Sequence, residues 1–177
     1  MNIRLGNDFF CRDVLDVAPE LVGKTIVRSV DGIHHKYIIT EVEAYRGVED
    51  LACHASKGRT PRTEVMFQHG GLVYVYLIYG MYWMLNFVTG KPGNPQATLI
   101  RGVADCYGPG RLTKKLSISR DFYGEDLAKS SRLWVEDRNN TPLIQISTRI
   151  GVDYAGEEWA SKPWRFFTND YQKKKIL

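Results

Sequence analysis

Alternation of hydrophobic and polar side chains is the dominant pattern of the chain, and it predicts strands more often than helices. The segments TIVRSV and IHHKYIITEVEAY flank Asp31-Gly32, a dipeptide typical of tight hairpin turns. Residues 70–90, GGLVYVYLIYGMYWMLNFVTG, carry no charge and alternate β-branched with aromatic residues. Because Tyr79-Gly80 interrupts this run near its middle, the pattern predicts a second hairpin there.

Further alternating segments predict strands later in the chain, at QATLIRGV, RLWVEDR, PLIQISTRI and SKPWRFF. Short helices are predicted between the strands. One is capped by Asp16 and stops at Gly23, and another begins at Thr60-Pro61 and runs to about Phe67. A third follows the glycine-rich loop of GPGRLTKKLSI. The tail QKKKIL predicts a solvated chain end.

Domain organisation follows from the spacing of these elements. Strands outnumber helices and are joined by short turns, which is typical of antiparallel α+β proteins. No linker rich in Pro, Gly or Ser divides the chain, and no segment repeats. We therefore expect a single α+β domain across residues 1–177, with a mostly antiparallel sheet and surrounding short helices.

The uncharged run at residues 70–90 is long enough for a membrane helix, which needs ~20 mostly apolar residues. Its glycines and its alternation favour strands, so no membrane segment is expected. The N-terminal MNIRLGNDFF lacks the basic and apolar regions of a secretory signal. Three scattered cysteines indicate neither a disulfide framework nor a zinc site, so a reducing, cytoplasmic compartment is expected.

Charged residues add several candidate functions. The balance is mildly basic, with 24 Lys+Arg against 20 Asp+Glu, which permits a polyanionic partner but is equally common in proteins without one. Arg101 ends the apolar strand ATLI and needs an anion, either a carboxylate in a structural ion pair or a phosphate. Glu41 and Glu43 should face one side of a strand, as solvated groups or as an acid/base pair. A glycosidase pair is disfavoured because both would project from one strand.

Histidine, cysteine and aromatic residues narrow the chemistry. The four histidines share no ligand spacing, and adjacent side chains such as Cys53 and His54 point in different directions. Neither a metal site nor a Cys-His dyad is therefore expected. Tyr79 at the hairpin tip is either an aromatic wedge that enters the minor groove or part of a packed hairpin whose hydroxyls reach water.

Several segments together resemble the alkyladenine (3-methyladenine) DNA glycosylase family. They are EVEAYRGVEDLACHA, GRTPR with the following MF, YVYLIYGMYWMLNF, LIRG, GPGRL and RIGVDYAGEEWASKPWRF. They occur in the family's order and cover nearly all of the chain from RLGNDFF onward. The resemblance implies one α+β domain with a mostly antiparallel curved sheet, surrounding short helices and a protruding β-hairpin.

The resemblance also implies an activity. Family members flip damaged purines out of duplex DNA and hydrolyse the N-glycosidic bond with an activated water, as a step of base excision repair. Glu43 matches the general base, and Arg101 and the main chain of Ile150 match positions that hold the water. No lysine or amino-terminal nucleophile, cofactor or metal is implied, so the product is an abasic site without strand cleavage.

Binding residues follow in the same way. The resemblance implies a purine slot with Tyr45 and His54 on one wall and Tyr76 on the other. Asn86 matches the residue that crowds the exocyclic amino group of guanine, and Tyr79 matches the wedge that fills the vacated space. Positions near the DNA backbone are matched by Thr60, Arg62, Met81, Tyr82 and Arg111.

The partner implied is double-stranded DNA that contains damaged purines of the 3-methyladenine, 7-methylguanine, hypoxanthine and ethenoadenine class. A monomer is expected, either at the bacterial nucleoid in the cytoplasm or in a nucleus. The alternative is a non-catalytic nucleic-acid-binding protein on the same fold, for which the basic balance and the aromatic hairpin are sufficient.

Overall fold

The computed structural model describes residues 3–171, and within them nine strands form one sheet. Every pairing between these strands is antiparallel, which confirms the predicted α+β fold. The tail QKKKIL lies outside the described residues. The strands are β1 (Thr25–Val30), β2 (Ile33–Arg46), β3 (Val73–Ile78), β4 (Tyr82–Thr89), β5 (Gln96–Val103), β6 (Cys106–Tyr107), β7 (Leu133–Glu136), β8 (Gln145–Ser147) and β9 (Arg165–Phe167).

Strand β2 connects the two parts of the sheet. Its first half pairs with β1 across the Asp31-Gly32 turn, and β1 pairs in turn with β7. Its second half pairs with β5 on one side and β9 on the other. The order β3-β4-β5-β2-β1-β7 therefore places the β3–β4 hairpin at an edge of the sheet, two strands from β2.

Short helices surround the sheet: α1 (Asn7–Phe10), α2 (Val14–Leu21), α3 (Pro109–Lys115) and α4 (Glu157–Ala160). The predicted cap of α2 at Asp16 is wrong. Asp13 precedes the helix, and its carboxylate accepts the N–H of Leu15 at 2.9 Å. The apolar stripe of α2 explains this start, because its buried residues recur at helical spacing from the position after the cap: Val14, Val17, Ala18 and Leu21.

The helix predicted from Thr60-Pro61 also begins later, as a 3₁₀ turn at Glu64–Phe67. The reason is a pair of threonine hydroxyls that satisfies the backbone before a helix can start. The N–H of Thr60 donates to Oγ1 of Thr63 at 2.9 Å, and the N–H of Thr63 donates to Oγ1 of Thr60 at 3.3 Å. Such local side-chain bonds compete with helical ones and close a turn instead.

The hairpin β3–β4 is present as predicted. Tyr79 and Gly80 adopt positive φ angles of 50° and 68°, the conformation that tight hairpin turns require. Tyr79 is 84% exposed and Met81 65%, so the tip extends away from the core. No helix among residues 3–171 is long and apolar enough to cross a membrane.

Two hydrophobic clusters support the sheet. The larger one joins α2 and α3 to the sheet, and its members include Phe10, Leu21, Ile26, Phe87, Ile100 and Leu112. The smaller one lies under the base of the hairpin and includes Cys53, Val65, Met66, Tyr74 and Val88. Because tyrosine and cysteine side chains belong to this second cluster, the core itself positions the aromatic residues described next.

Candidate active site

Glu43 on β2 is a carboxylate with no exposed surface. Its Oε1 accepts the backbone N–H of Ile150 at 2.8 Å, and its Oε2 accepts the hydroxyl of Tyr45 at 2.8 Å. Burial raises the pKa of Glu43, while Arg101 and these two hydrogen bonds partly offset the rise. A buried carboxylate that is held in place and has a raised pKa is suited to accept a proton near neutral pH.

Arg101 reaches this carboxylate because the β2–β5 ladder contains a bulge. Val42 pairs with Ile100 and Glu41 pairs with Gly102, so Arg101 is the extra residue of β5. Bulges redirect side chains and are common beside active sites. Arg101 Nε lies 3.1 Å from Glu41 Oε1 and 3.4 Å from Glu43 Oε1, so the structural ion pair considered for Arg101 exists at the site itself.

An aromatic cluster lies beside the carboxylate. His54 begins the 3₁₀ turn His54–Lys57, and its Nδ1 forms a 2.8 Å hydrogen bond with the hydroxyl of Tyr74. Burial, followed by the charges of Arg62 and Lys57, lowers the pKa of His54 to about 4. Its imidazole is therefore neutral at physiological pH and packs as an aromatic ring.

The assignment of Tyr76 to the wall opposite His54 is wrong. The two ring centroids lie 4.5 Å apart with the planes at 70°, so the rings touch edge to face. A base stacked between two rings needs about 7 Å, which is twice a van der Waals contact. His54 and Tyr76 therefore form one continuous wall. Tyr45 lines the same cavity.

The cavity between these walls has two parts. An inner part of about 40 Å³ has room for only about three water molecules. A wide cleft of about 540 Å³ adjoins it and shares several of its residues. Residues that line both parts are Tyr45, Ala52, Cys53, His54, Tyr76 and Tyr154.

The wide cleft brings most of the predicted site residues together. Arg101, Ile150, Arg62 and Tyr79 all line it. Asn86 lines the inner part, where its amide donates to the carbonyl oxygens of Tyr74 at 3.2 Å and Met84 at 3.3 Å. Glu43 itself is fully buried and accepts hydrogen bonds from two residues that line the cleft, Ile150 and Tyr45.

The residues expected near a DNA backbone occupy the surface around the cleft. Met81 and Tyr82 are exposed beside the hairpin tip, and Arg111 is exposed on α3. The guanidinium of Arg62 lies 5.0 Å from the ring centroid of Tyr76. The hydroxyl of Thr60 is bonded within its turn, 3.0 Å from Oγ1 of Thr63.

Helix α3 and the hairpin are in direct contact. A Cβ added at Gly110 would lie 2.8 Å from Cδ1 of Tyr82, so only glycine allows this approach. The hydroxyl of Thr113 donates to the carbonyl oxygen of Trp83 at 2.8 Å. The segment GPGRL and helix α3 therefore pack against the hairpin and support it, a structural role that the sequence patterns did not indicate.

A buried ion pair behind Tyr45 was also missed. The carboxylate of Asp50 accepts two hydrogen bonds from Arg149, at 2.6 and 2.9 Å, and both side chains have no exposed surface. The guanidinium of Arg149 lies between two rings, 4.9 Å from the centroid of Tyr45 and 5.0 Å from that of Trp164. The only sequence signal was that both charged residues lie inside the family-like segments.

Tyr154 is a further aromatic residue of the cleft that the sequence did not single out. The residue as a whole is 70% exposed, and its hydroxyl donates to the carbonyl oxygen of Ala52 at 3.0 Å. Burial raises the pKa of the neighbouring Cys53 to about 12, so this thiol is neutral and a poor nucleophile. Residues 3–171 contain no group of three potential ligands that could hold a metal ion.

Comparison with known proteins identifies the family. The family described as "Methylpurine-DNA glycosylase (MPG)" matches residues 8–107 and 103–172. Relatives named "Putative 3-methyladenine DNA glycosylase" occur in archaea and bacteria. The chain is 45% identical to the one from Methanocella arvoryzae, over 92% of this chain and 91% of the relative. For the Desulfitobacterium hafniense protein the identity is 40%, over 96% and 97% of the two chains.

A third relative, from Legionella pneumophila, is 44% identical over 94% of this chain and 95% of its own. The matches thus extend over both the sheet and the cleft, including all the residues that surround Glu43. This chain therefore belongs to the methylpurine-DNA glycosylase family, and it is a DNA glycosylase.

Proposed function

We propose that the protein is a monofunctional glycosylase that flips damaged purines out of duplex DNA. Its substrates are 3-methyladenine, 7-methylguanine, hypoxanthine and ethenoadenine, and its products are the free base and an abasic site. One observation carries the proposal: a fully buried carboxylate, Glu43, is held by two hydrogen bonds beside a cleft with aromatic walls. The names of the relatives support 3-methyladenine among these substrates.

In this proposal Glu43 is the general base. Ionised Glu43 takes a proton from water, and the water oxygen bonds to the anomeric carbon as the bond to the purine breaks. The negative charge of the carboxylate stabilises the oxocarbenium-like transition state. Arg101 and the main chain of Ile150 hold the water, and the N–H of Ile150 also keeps Glu43 in one orientation.

The flipped purine stacks between Tyr45 and the wall of His54 and Tyr76. Because the inner cavity is smaller than a purine, we infer that Tyr154 moves when the base enters, breaking its single hydrogen bond to Ala52. When the hydroxyl of Tyr74 donates to Nδ1 of His54, the opposite ring nitrogen carries a proton and can donate to the base.

Selectivity against guanine is assigned to Asn86. Its amide is fixed by two backbone carbonyls at the end of the inner cavity, so it cannot move aside for an extra amino group. Lesions are then selected by how easily they unstack and how well they fit, because phosphate contacts carry no sequence information.

Duplex DNA is proposed to lie across the hairpin tip, with Tyr79 in the minor groove. Thr60, Arg62, Met81, Tyr82 and Arg111 are proposed to contact the sugar-phosphate backbone around it. Neutralised phosphates release counterions, so binding weakens as salt rises. The protein is proposed to act as a monomer on chromosomal DNA, at the bacterial nucleoid or in a nucleus.

The proposed activity is tested with labelled duplexes that each carry one lesion, and with an undamaged duplex as control. We expect release of at least one damaged purine under single-turnover conditions, seen as strand breaks only after alkali treatment. The proposal would be contradicted if the protein released no base from any lesion duplex while a cooperative unfolding transition showed that it was folded. Because Lys57 lines the cleft, borohydride trapping is added, and a trapped complex would contradict the monofunctional assignment.

The wedge is tested by Tyr79→Ser. Loss of an aromatic stack removes roughly 1–3 kcal/mol from the flipped state, so we expect excision efficiency to fall about tenfold or more. Thermal stability should stay unchanged because Tyr79 is exposed. Ile33→Ser, at an exposed position beside the other hairpin turn, is the control. Undiminished flipping and excision by Tyr79→Ser would show that Tyr79 is not the wedge.

A further inference from the structure

Glu41 has no role in the function proposed above, yet it contacts the same arginine as Glu43. Its Oε1 lies 3.1 Å from Nε of Arg101 on β5 and 3.1 Å from Nη1 of Arg165 on β9. Glu43 is farther from that Nε, at 3.4 Å. The two carboxylates of β2 therefore share one guanidinium, and Glu41 makes the shorter contact.

This shared contact is not the usual arginine–carboxylate geometry. An isolated pair prefers a bidentate fork, in which two parallel N–H groups meet the two carboxylate oxygens. Here Arg101 offers only Nε to both carboxylates. Within residues 3–171 its terminal amino groups form no hydrogen bond with a carboxylate or carbonyl, and Arg101 lines the wide cleft. These amino groups thus remain available to a ligand.

We propose that Glu41 is a positioning residue for base excision. Glu41 holds Arg101 through Nε, so that the terminal amino groups of the guanidinium face the cleft. Without this contact Arg101 would form a bidentate ion pair with Glu43. The inference rests on the proposed role of Glu43 as the general base. Arg165 completes the arrangement, because two guanidiniums then balance the two carboxylates of the cluster.

The surroundings of Glu43 define what a change of charge would do. Charged neighbours are Arg101 from β5 and Glu41 from β2, with Arg165 from β9 reached through Glu41. The neutral groups that face Glu43 are three tyrosines and one backbone N–H. They are Tyr45 on β2, Tyr76 on β3, Tyr154 in the 3₁₀ turn Asp153–Ala155, and the N–H of Ile150 in the segment after β8. Burial raises the pKa of each of these tyrosines, so none of them ionises near neutral pH.

Two substitutions in the cluster should shift the pH profile in opposite directions. Because the reaction needs ionised Glu43, its rate falls as pH drops through the raised pKa of this group. Glu41→Gln removes a negative charge and frees Arg101 for Glu43, so we expect the acid limb to move to lower pH. Its maximal rate should fall roughly 10- to 100-fold, the cost of a misplaced group. Arg165→Gln removes a positive charge, so its acid limb should move to higher pH.

The measurement is the single-turnover excision rate at saturating protein, from about pH 4.5 to about pH 9 in steps of about half a pH unit. The folded fraction of each variant is measured by circular dichroism over the same pH range and the rate is divided by it, so that acid unfolding is not read as a shift of the limb. Glu49→Gln, at an exposed carboxylate just after β2, should keep the wild-type limb. Glu41→Asp keeps the negative charge, so its acid limb should lie close to that of the wild type.

The outcomes separate this inference from the function on which it rests. Unshifted limbs in both Glu41→Gln and Arg165→Gln, with normal excision by the wild type, would overturn the positioning role alone. A wild type that releases no purine would instead overturn the proposed function.

Discussion

The Glu43→Gln variant should lose purine excision while it keeps its affinity for damaged DNA. A general base contributes roughly 10²- to 10⁴-fold to a rate, and glutamine cannot accept the proton of the attacking water. The amide has nearly the shape of the carboxylate and retains an oxygen for the N–H of Ile150 or the hydroxyl of Tyr45. The fold and the DNA surface should therefore remain intact.

The measurement pairs single-turnover excision with fluorescence anisotropy on the same lesion duplex. Glu157→Gln, an identical change at an exposed position on α4, should behave as wild type in both assays. Equal turnover by Glu43→Gln and wild type would refute the assigned base. Loss of DNA affinity together with excision would assign Glu43 to binding.

The Asp50→Ala variant should be the least stable single substitution around the site. It leaves the charge of Arg149 buried and unpaired, which costs about 3–5 kcal/mol. In a domain of this size such a loss lowers Tm by roughly 6–20 °C. The side chain of Asp50 also accepts the backbone N–H groups of Arg46 and Ala52, so the turn that precedes His54 loses two bonds as well.

Thermal unfolding of Asp50→Ala is compared with that of Asp153→Ala. Because Asp153 is exposed, the free energy of unfolding of Asp153→Ala should stay within about 0.5 kcal/mol of the wild-type value. Replacing both charges, in Asp50→Leu with Arg149→Met, should recover much of the stability, because the uncompensated ion is gone. A small effect of Asp50→Ala alone would show that water reaches Arg149. Lost excision at temperatures where the variant is folded would show that Arg149 holds Tyr45 in place.

The predictable part of the fold depended on local features. Asp31-Gly32 and Tyr79-Gly80 both take positive φ angles. Asp-Gly tolerates such angles and marks a hairpin turn without any tertiary information, whereas Tyr79-Gly80 was indicated by its glycine in the middle of an alternating run. Strand β5 follows its segment QATLIRGV residue for residue. The cap of α2 was misplaced by three residues because Asp13 and Asp16 are equally good caps, and only the buried stripe that begins at Val14 distinguishes them.

The site was predicted as a set of residues but not as an arrangement. Motifs named Glu43, Tyr45, His54 and Tyr76, yet the walls were grouped wrongly because ring contacts such as that of His54 with Tyr76 depend on how a loop folds back on β3. The pair of Asp50 and Arg149 joins residues 99 positions apart. No local pattern could indicate it.

Periodicity and turn chemistry in the chain were enough to determine the strands, the exposed aromatic hairpin and, through its motifs, the family. Tertiary structure alone decided that Glu41 and Glu43 share Arg101, across about 60 positions of sequence. The physical reason is an irregularity in the β2–β5 ladder: Thr40 and Arg101 are left unpaired on the two sides of the Glu41–Gly102 pair, and such bulges redirect side chains. Register depends on packing between strands, whereas periodicity reports only which face of its own strand a residue occupies.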